Sequence, residues 1–368
     1  MQEPVQHRFL FAGGGTGGHL YPALAIAERL RAQNAEILFV GTKAGLEAKV
    51  IPQHGFTLKF LWLSGFRRGR ILSNLLLPFK VLVSLWQSFR ILRCFRPQAV
   101  LGTGGYTCGP VVLVAALFRI PIVLQEQNSF PGVTTRLLAR FAKEVFLNFE
   151  EAAQHLPRRV AWQFADNPLR ADLGQLDRNE ALKYWKLNPD LPTLLVFGGS
   201  QGALRINRAI HDLLPQLGER CNLIWSRGEH DMVQPQGWKG AGVLIEKRFI
   251  TEMPLAYAAA DLAVCRSGAM TLSELKAAVL PAILIPFPFA AADHQRHNAE
   301  AFARRGAAVV VEDRSVNSET LLSTIVSLLS DNARLTAMRR TLQELPRRDG
   351  AALITEKLLQ LAKNQCKK

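Results

Sequence analysis

Apolar residues follow two alternating rhythms along this chain. Short unbroken runs, RFLFA at residues 8–12 and EILFV at residues 36–40, bracket a stretch over 20–32 in which apolar positions recur every three to four residues. Runs of that length suit buried strands and the 3.6-residue spacing suits a helix, so the segment predicts a strand–helix–strand unit. Further runs at 99–102, 122–125 and 145–148 each follow a helical or glycine-punctuated stretch. Strands covered on both faces read as continuous apolar runs, which predicts a parallel sheet with helices on both sides.

The plan restarts after the turn formers Asn167-Pro168, Asn188-Pro189 and Pro192. A strand over Thr193–Phe197, a turn over 198–202 and a helix over 203–214 are predicted there, followed by strands at 223–226, 243–247, Leu262–Cys265, 282–286 and 308–311 and by helices at 321–329 and 350–362. At 368 residues the chain exceeds what one compact core usually serves. The expectation is two α/β domains, residues 1–165 and 166–345, with residues 346–368 forming a helix that packs back on the first.

Each half carries a glycine-rich turn between a strand and a helix, Gly13-Gly14-Gly15-Thr16-Gly17-Gly18 and Gly198-Gly199-Ser200-Gln201-Gly202, and a third lies at Gly102-Thr103-Gly104-Gly105-Tyr106. Such turns let backbone N–H groups and the positive end of a helix dipole approach a phosphate. The first turn formally contains the G-x-G-x-x-G of dinucleotide binders. That reading also needs an acid after the second strand for the adenosine ribose, and Val40 is followed by Gly41-Thr42-Lys43. A Walker A loop fails because neither turn ends in G-K-[ST]. His19 stands where the first turn passes into its helix, whose dipole disfavours imidazolium, so a neutral ring there can accept a proton from an attacking hydroxyl.

Charge narrows the partners. The formal net charge is +15, which points to phosphate-bearing partners: nucleic acid, anionic lipid or a phosphorylated substrate. No Asp or Glu occurs in the 78 residues between Glu47 and Glu126, where 30 acids in 368 residues would place about six, and ten basic residues do. Inside this stretch, residues 71–92 interleave Leu75, Leu76, Phe79, Leu82 and Trp86 with Lys80 and Arg90. Pro78 and the charges argue against a membrane-spanning helix, whereas a broad apolar face rimmed by Trp and basic residues suits an interfacial segment on an anionic leaflet. An ordinary core helix with a basic rim is the alternative. No aromatic platform, zinc finger or helix-turn-helix signature supports nucleic acid. The five scattered cysteines suggest neither a zinc site nor a disulfide framework, and the polar N-terminus suggests no secretory signal.

Taken together, GGTGGHLYP from Gly14, GTGGYTCGP from Gly102, Glu126-Gln127-Asn128, GGSQGA from Gly198, CRSGAMTLSE from Cys265 and DHQRHNA from Asp293 resemble, in order and over almost the whole chain, the MurG family of peptidoglycan glycosyltransferases. The resemblance implies a GT-B fold, two Rossmann-like doubly wound domains with an interdomain cleft, and transfer of N-acetylglucosamine from UDP-GlcNAc to undecaprenyl-pyrophosphoryl muramoyl-pentapeptide, lipid I. It implies that Thr16, Gly17, Gly18 and Asn128 reach the donor from the first domain and that Arg170 and Ser200 contact its nucleotide and pyrophosphate. It also implies uracil at the Ile250 backbone, a helix start over Ala269, Met270, Thr271, Leu272 and Ser273 at the diphosphate, ribose on Glu274 and the sugar on Gln295. Asp166 stands where members of the family usually have Gly.

The chemistry expected is a direct, inverting displacement with His19 as first choice for the base and Glu126, at a strand end in the same domain, as second. Gly104, Gly105 and Tyr106 are expected to serve the acceptor pyrophosphate. No D-x-D carboxylate pair marks a metal site, so neither metal nor cofactor is expected. The location implied is peripheral, on the cytoplasmic face of the bacterial cell membrane. An enzyme with another lipid acceptor, a UDP-GlcNAc 2-epimerase and a non-catalytic nucleotide-binding module at the membrane stay open as rivals.

Overall fold

The computed structural model describes residues 7–65, 75–169, 173–199 and 202–366. The chain forms two compact units, Met1–Leu169 with Arg347–Lys368, and Arg170–Pro346. The first holds a seven-stranded parallel sheet of β1 (Arg8–Gly13), β2 (Glu36–Gly41), β3 (Thr57–Phe60), β4 (Ala99–Gly104), β5 (Ile122–Glu126), β6 (Glu144–Leu147) and β7 (Trp162–Phe164), in the order β3-β2-β1-β4-β5-β6-β7. The order reverses between β1 and β4, and in open α/β sheets ligands bind beyond the carboxyl ends of the strands at that switch point. Two of the three glycine turns leave the sheet there.

Among the described residues up to 169, the helices of this unit are α1 (Gly17–Arg31), α2 (Glu47–Gln53), α3 (Leu77–Phe95), α4 (Cys108–Leu117) and α5 (Val133–Leu138). Helix α1 begins three residues before the sequence pattern suggests. Gly17 and Gly18, weak helix formers, are already helical because the Thr16 carbonyl accepts from the His19 and Leu20 amides at 3.3 and 3.2 Å. The glycine run is therefore half turn and half helix. Strand β3 carries no apolar run because it is a four-residue edge strand and mostly exposed, and β7, the other edge, has only three residues.

The second unit repeats the plan with β8 (Thr193–Phe197), β9 (Asn222–Ser226), β10 (Leu244–Lys247), β11 (Leu262–Cys265), β12 (Ala282–Leu284) and β13 (Ala308–Val310), parallel and ordered β10-β9-β8-β11-β12-β13. Its helices are α6 (Arg178–Trp185), α7 (Leu204–Leu217), α8 (Met253–Ala259), α9 (Ala269–Ala277), α10 (His294–Arg304), α11 (Ser318–Leu329) and α12 (Asn332–Glu344). The switch point lies between β8 and β11, so the turn after β8 and the start of α9 share one end of the sheet.

The last helix, α13 (Gly350–Cys366), belongs to the first unit. Its stripe of Ala351, Ile354, Leu358 and Ala362 completes the core that Leu20, Ala23, Leu24 and Ala27 of α1 begin, which is the helical spacing of a buried face. Asp166 fixes the point where the chain returns. Its amide donates to the Arg348 carbonyl at 3.0 Å and its Oδ2 accepts from the Arg348 amide at 2.7 Å. A glycine at 166 could make only the first of these bonds.

Candidate active site

At the switch point of the first unit, strands β1 and β4 pair with a register shift between Ala12 and Gly13. The irregularity spreads the strand ends and places Thr103 beside the start of α1, where its Oγ1 donates to the His19 carbonyl at 2.8 Å. The imidazole of His19 lies against Gly104. A methyl group built there would stand 2.8 Å from Nδ1, and one on Gly105 would stand 2.7 Å from the Gly14 carbonyl oxygen. The third glycine turn thus makes room for a histidine ring and for the close approach of the first turn.

The amide of Gly104 does not face outward. It donates to Cys108 Sγ at 3.2 Å, while that thiol donates to the Ala12 carbonyl at 2.7 Å, so one buried sulfur ties both strand ends together. Burial pushes the Cys108 thiol up to about 12, which keeps it protonated as the donor this bond requires. Tyr106 reaches the neighbouring loop, with its hydroxyl 3.3 Å from Thr42 Oγ1. The Gly104 N–H is thus turned inward.

The first glycine turn is also partly filled from within. Buried Glu47, the first residue of α2, accepts from the Gly15 amide and the Thr42 amide at 2.8 Å each and from Thr42 Oγ1 at 3.0 Å. Glycines 14, 41 and 45 leave space for this carboxylate: a methyl group on any of them would meet it. The amides of Gly17 and Gly18, first in α1, have no acceptor inside the helix.

Beyond β5, Glu126 is buried and braces its own loop. Its Oε1 accepts from the Asn128 amide and side chain at 3.1 Å each, and its Oε2 accepts from the Gly132 amide at 3.1 Å. Gln127, equally buried, takes His19 Nδ1 on its Oε1 at 3.0 Å. Neither Glu47 nor Gln127 stands out in the sequence. Glu47 is visible only as the last acid before the acid-free stretch, and Gln127 only as the middle of a matched tripeptide.

In the second unit, the turn after β8 closes through Gly202, whose amide donates to Gly199 at 2.9 Å and whose α-carbon abuts the Arg227 carbonyl. Ser200 and Arg170 lie outside the described residues. At the start of α9, the Leu272 amide already donates to the Gly268 carbonyl at 3.0 Å. Leu272 is a core residue, and Ser273 Oγ donates back to the Ala269 carbonyl at 3.1 Å.

Glu274 Oε2 accepts from Tyr257 Oη at 2.8 Å, and burial, reinforced by that carboxylate, drives the Tyr257 phenol well above its ordinary range. Gln295 Oε1 accepts from the Phe287 amide at 3.0 Å, while Ser267 Oγ donates to the Gln295 carbonyl at 2.7 Å. Ile250 is buried.

Helix α3 turns its apolar side outward. Ser84 and Ser88 are buried, whereas Leu75, Leu76, Phe79, Leu82 and Trp86 are exposed, Leu82 to 65% and Trp86 to 58%. Leu113 and Leu117 of α4 and Val133 and Leu137 of α5 are exposed as well. Cations lie over its aromatic edge: Arg90 stands 5.0 Å from the Trp86 ring and Lys80 5.8 Å from that of Trp62. Among the described residues no helix is long and apolar enough to cross a membrane.

Comparison with known proteins identifies the family. Residues 9–147 match the glycosyltransferase family 28 N-terminal domain and residues 193–354 its C-terminal domain. The UDP-N-acetylglucosamine--N-acetylmuramyl-(pentapeptide) pyrophosphoryl-undecaprenol N-acetylglucosamine transferase of Chlorobaculum parvum is 42% identical over 371 residues, 97% of this chain and 100% of the relative. The protein of the same name from Desulforamulus reducens is 41% identical, over 92% of this chain and 95% of its own. Among solved structures, Acinetobacter baumannii MurG aligns with a TM-score of 0.76 at 26% identity, covering 96% of this chain and 99% of that one. A kitacinnamycin glycosyltransferase aligns at 0.75 with 17% identity over 97% and 100% of the two chains, a likeness of fold alone. With both its domains matched and full-length relatives at about 40% identity, this chain belongs to glycosyltransferase family 28, and within it to the MurG family.

Proposed function

We propose that this protein transfers N-acetylglucosamine from UDP-GlcNAc to the 4-hydroxyl of undecaprenyl-pyrophosphoryl N-acetylmuramoyl-pentapeptide, with inversion and release of UDP. The observation that carries the reading, beside the full-length relatives, is the imidazole of His19 at the switch point of the first sheet, next to the open amides of Gly17 and Gly18. In this reading the muramoyl oxygen attacks the anomeric carbon, its proton passes to His19 Nε2, and the bond to the diphosphate breaks.

The departing charge is met by oriented amides. Those of Ala269, Met270 and Thr271 at the start of α9 suit the diphosphate, with Arg170 and Ser200 assigned to it by family resemblance. Tyr257 orients the Glu274 carboxylate for the ribose hydroxyls, the NH2 of Gln295 donates to the sugar, and the Ile250 backbone takes uracil. Thr16 and the Asn128 loop serve the donor from the first unit. Glu126, with both carboxylate oxygens committed to its loop, is a brace rather than the base.

The exposed apolar residues of α3, α4 and α5 suit the surface of an anionic bilayer, where the lipid acceptor resides, and support a peripheral location on the cytoplasmic side of the cell membrane. The test is UDP release from UDP-GlcNAc with and without the lipid-linked muramoyl acceptor. Acceptor-dependent release is expected. UDP binding without release would leave a nucleotide-binding module, and release with diacylglycerol in place of lipid I would reassign the acceptor.

A further inference from the structure

A chain of buried amides runs from His19 to the end of the first unit's sheet, and its direction is fixed at one point. Gln127 Nε2 donates to the Thr103 carbonyl at 2.7 Å and to Gln125 Oε1, and Gln125 Nε2 donates to Asn167 Oδ1 at 2.8 Å. A backbone carbonyl can only accept. The nitrogen of the Gln127 amide must therefore face Thr103, and its oxygen must face His19. An amide oxygen can only accept as well, so the bond at 3.0 Å requires the proton of the neutral imidazole to sit on Nδ1. All three amides, Gln125, Gln127 and Asn167, are buried, which makes reversing the chain costly: it would set oxygen against oxygen at Thr103.

From this geometry we infer that Gln127 is a positioning residue that locks His19 in the Nδ1–H tautomer, leaving Nε2 as a lone-pair acceptor. Free histidine favours the opposite tautomer, in which Nε2 carries the proton and cannot act as a base. Two other contacts hold the residue and leave its tautomer open: the Thr103 hydroxyl on the His19 carbonyl and the Gly104 backbone against the ring. Gln127 alone among these decides which nitrogen is basic. The inference rests on the reading of His19 as the base, and it concerns a residue that touches no reacting atom.

The test combines a spectrum with kinetics. Side-chain 15N spectra of the unmodified protein, with the His19 signals identified by their loss in His19→Gln, are expected to show the proton on Nδ1. A proton on Nε2 overturns the inference whatever the enzyme does. Gln127→Met keeps the length of the side chain and removes its hydrogen bonds. It is expected to shift His19 toward the Nε2–H form and lower kcat at least about tenfold, with the UDP-GlcNAc KM within about twofold, because a positioned base is worth about 10²–10⁴.

Gln127→Glu restores an acceptor at Nδ1 but adds a carboxylate that favours imidazolium. The acidic limb of its rate profile is expected at higher pH than in the unmodified protein, with activity above that of Gln127→Met at alkaline pH. Near-normal kcat in Gln127→Met with the tautomer unchanged also overturns the inference. Acceptor-dependent UDP release missing from the unmodified protein would sink the functional reading instead, and the spectrum would still decide the tautomer.

Discussion

The carboxylate of Glu47 lies beneath the first glycine turn and accepts the Gly15 amide at 2.8 Å. It binds Thr42 through both the amide and the hydroxyl, and Thr42 lies 3.3 Å from the Tyr106 hydroxyl of the third turn. One buried anion thus orders two of the loops at the switch point. Glu47→Gln presents an NH2 group to a ring of donors and strands at least one of them. The expected cost is about 1–3 kcal/mol in denaturant unfolding, with a fall in kcat/KM. A variant as stable and active as the parent would remove Glu47 from the loop architecture.

Gly104 and Gly105 separate two kinds of crowding. An alanine at 104 meets the His19 ring at a backbone φ of +102°, whereas one at 105 meets the Gly14 carbonyl at +82°. Gly104→Ala is expected to lower kcat at least about tenfold through a displaced base, and each variant to lose about 1–3 kcal/mol from the left-handed backbone. Gly105→Ala, opposed by backbone that cannot swing aside, is expected to be the less stable of the two. Thermal unfolding alongside kcat checks both.

The face of α3 predicts membrane binding that can be lost without unfolding. Leu82→Asp with Trp86→Ser removes exposed apolar groups each worth about 1.5–3 kcal/mol when buried. Sedimentation with anionic vesicles is expected to show at least about tenfold weaker binding and an unchanged Tm. Ser88→Asp, on the buried side of the same helix, is expected to destabilise the fold. Unchanged vesicle binding in the double variant would make this face something other than a lipid surface.

The buried thiols set an alkaline limit on stability. Burial raises Cys108 and Cys221 to about 12 each, and Cys265 higher still. Unfolded thiols ionise near about 8.5. Below that value both states keep the proton and the contribution is fully present. Above it the unfolded chain loses protons that the folded protein retains, so stability falls as the pH rises toward the folded values. Unfolding midpoints should drop between neutral pH and about pH 10. Iodoacetamide mapping of the native protein is expected to modify exposed Cys94 while sparing Cys108, Cys221 and Cys265. Rapid labelling of Cys108 would contradict its place beneath the glycine loops.

The sequence by itself determined the alternation of strands and helices, the restart near residue 190 and the glycine turns, because apolar periodicity and glycine spacing are local signals. Order and composition of six short segments also carried the family. Short edge strands such as β3 left no such signal, and the glycine propensities of Gly17 and Gly18 hid the true start of α1.

What the glycines do could not be read along the chain. Phosphate cradles and spaces for buried side chains have the same composition, and only the β3-β2-β1-β4 strand order brings Glu47 under Gly15 and Gly104 against His19. The assignment of the His19 proton depends on Gln127, 108 residues away, and on the Thr103 carbonyl. Hydrogen-bond direction is a property of neighbours in space, so it was decided by the tertiary structure alone.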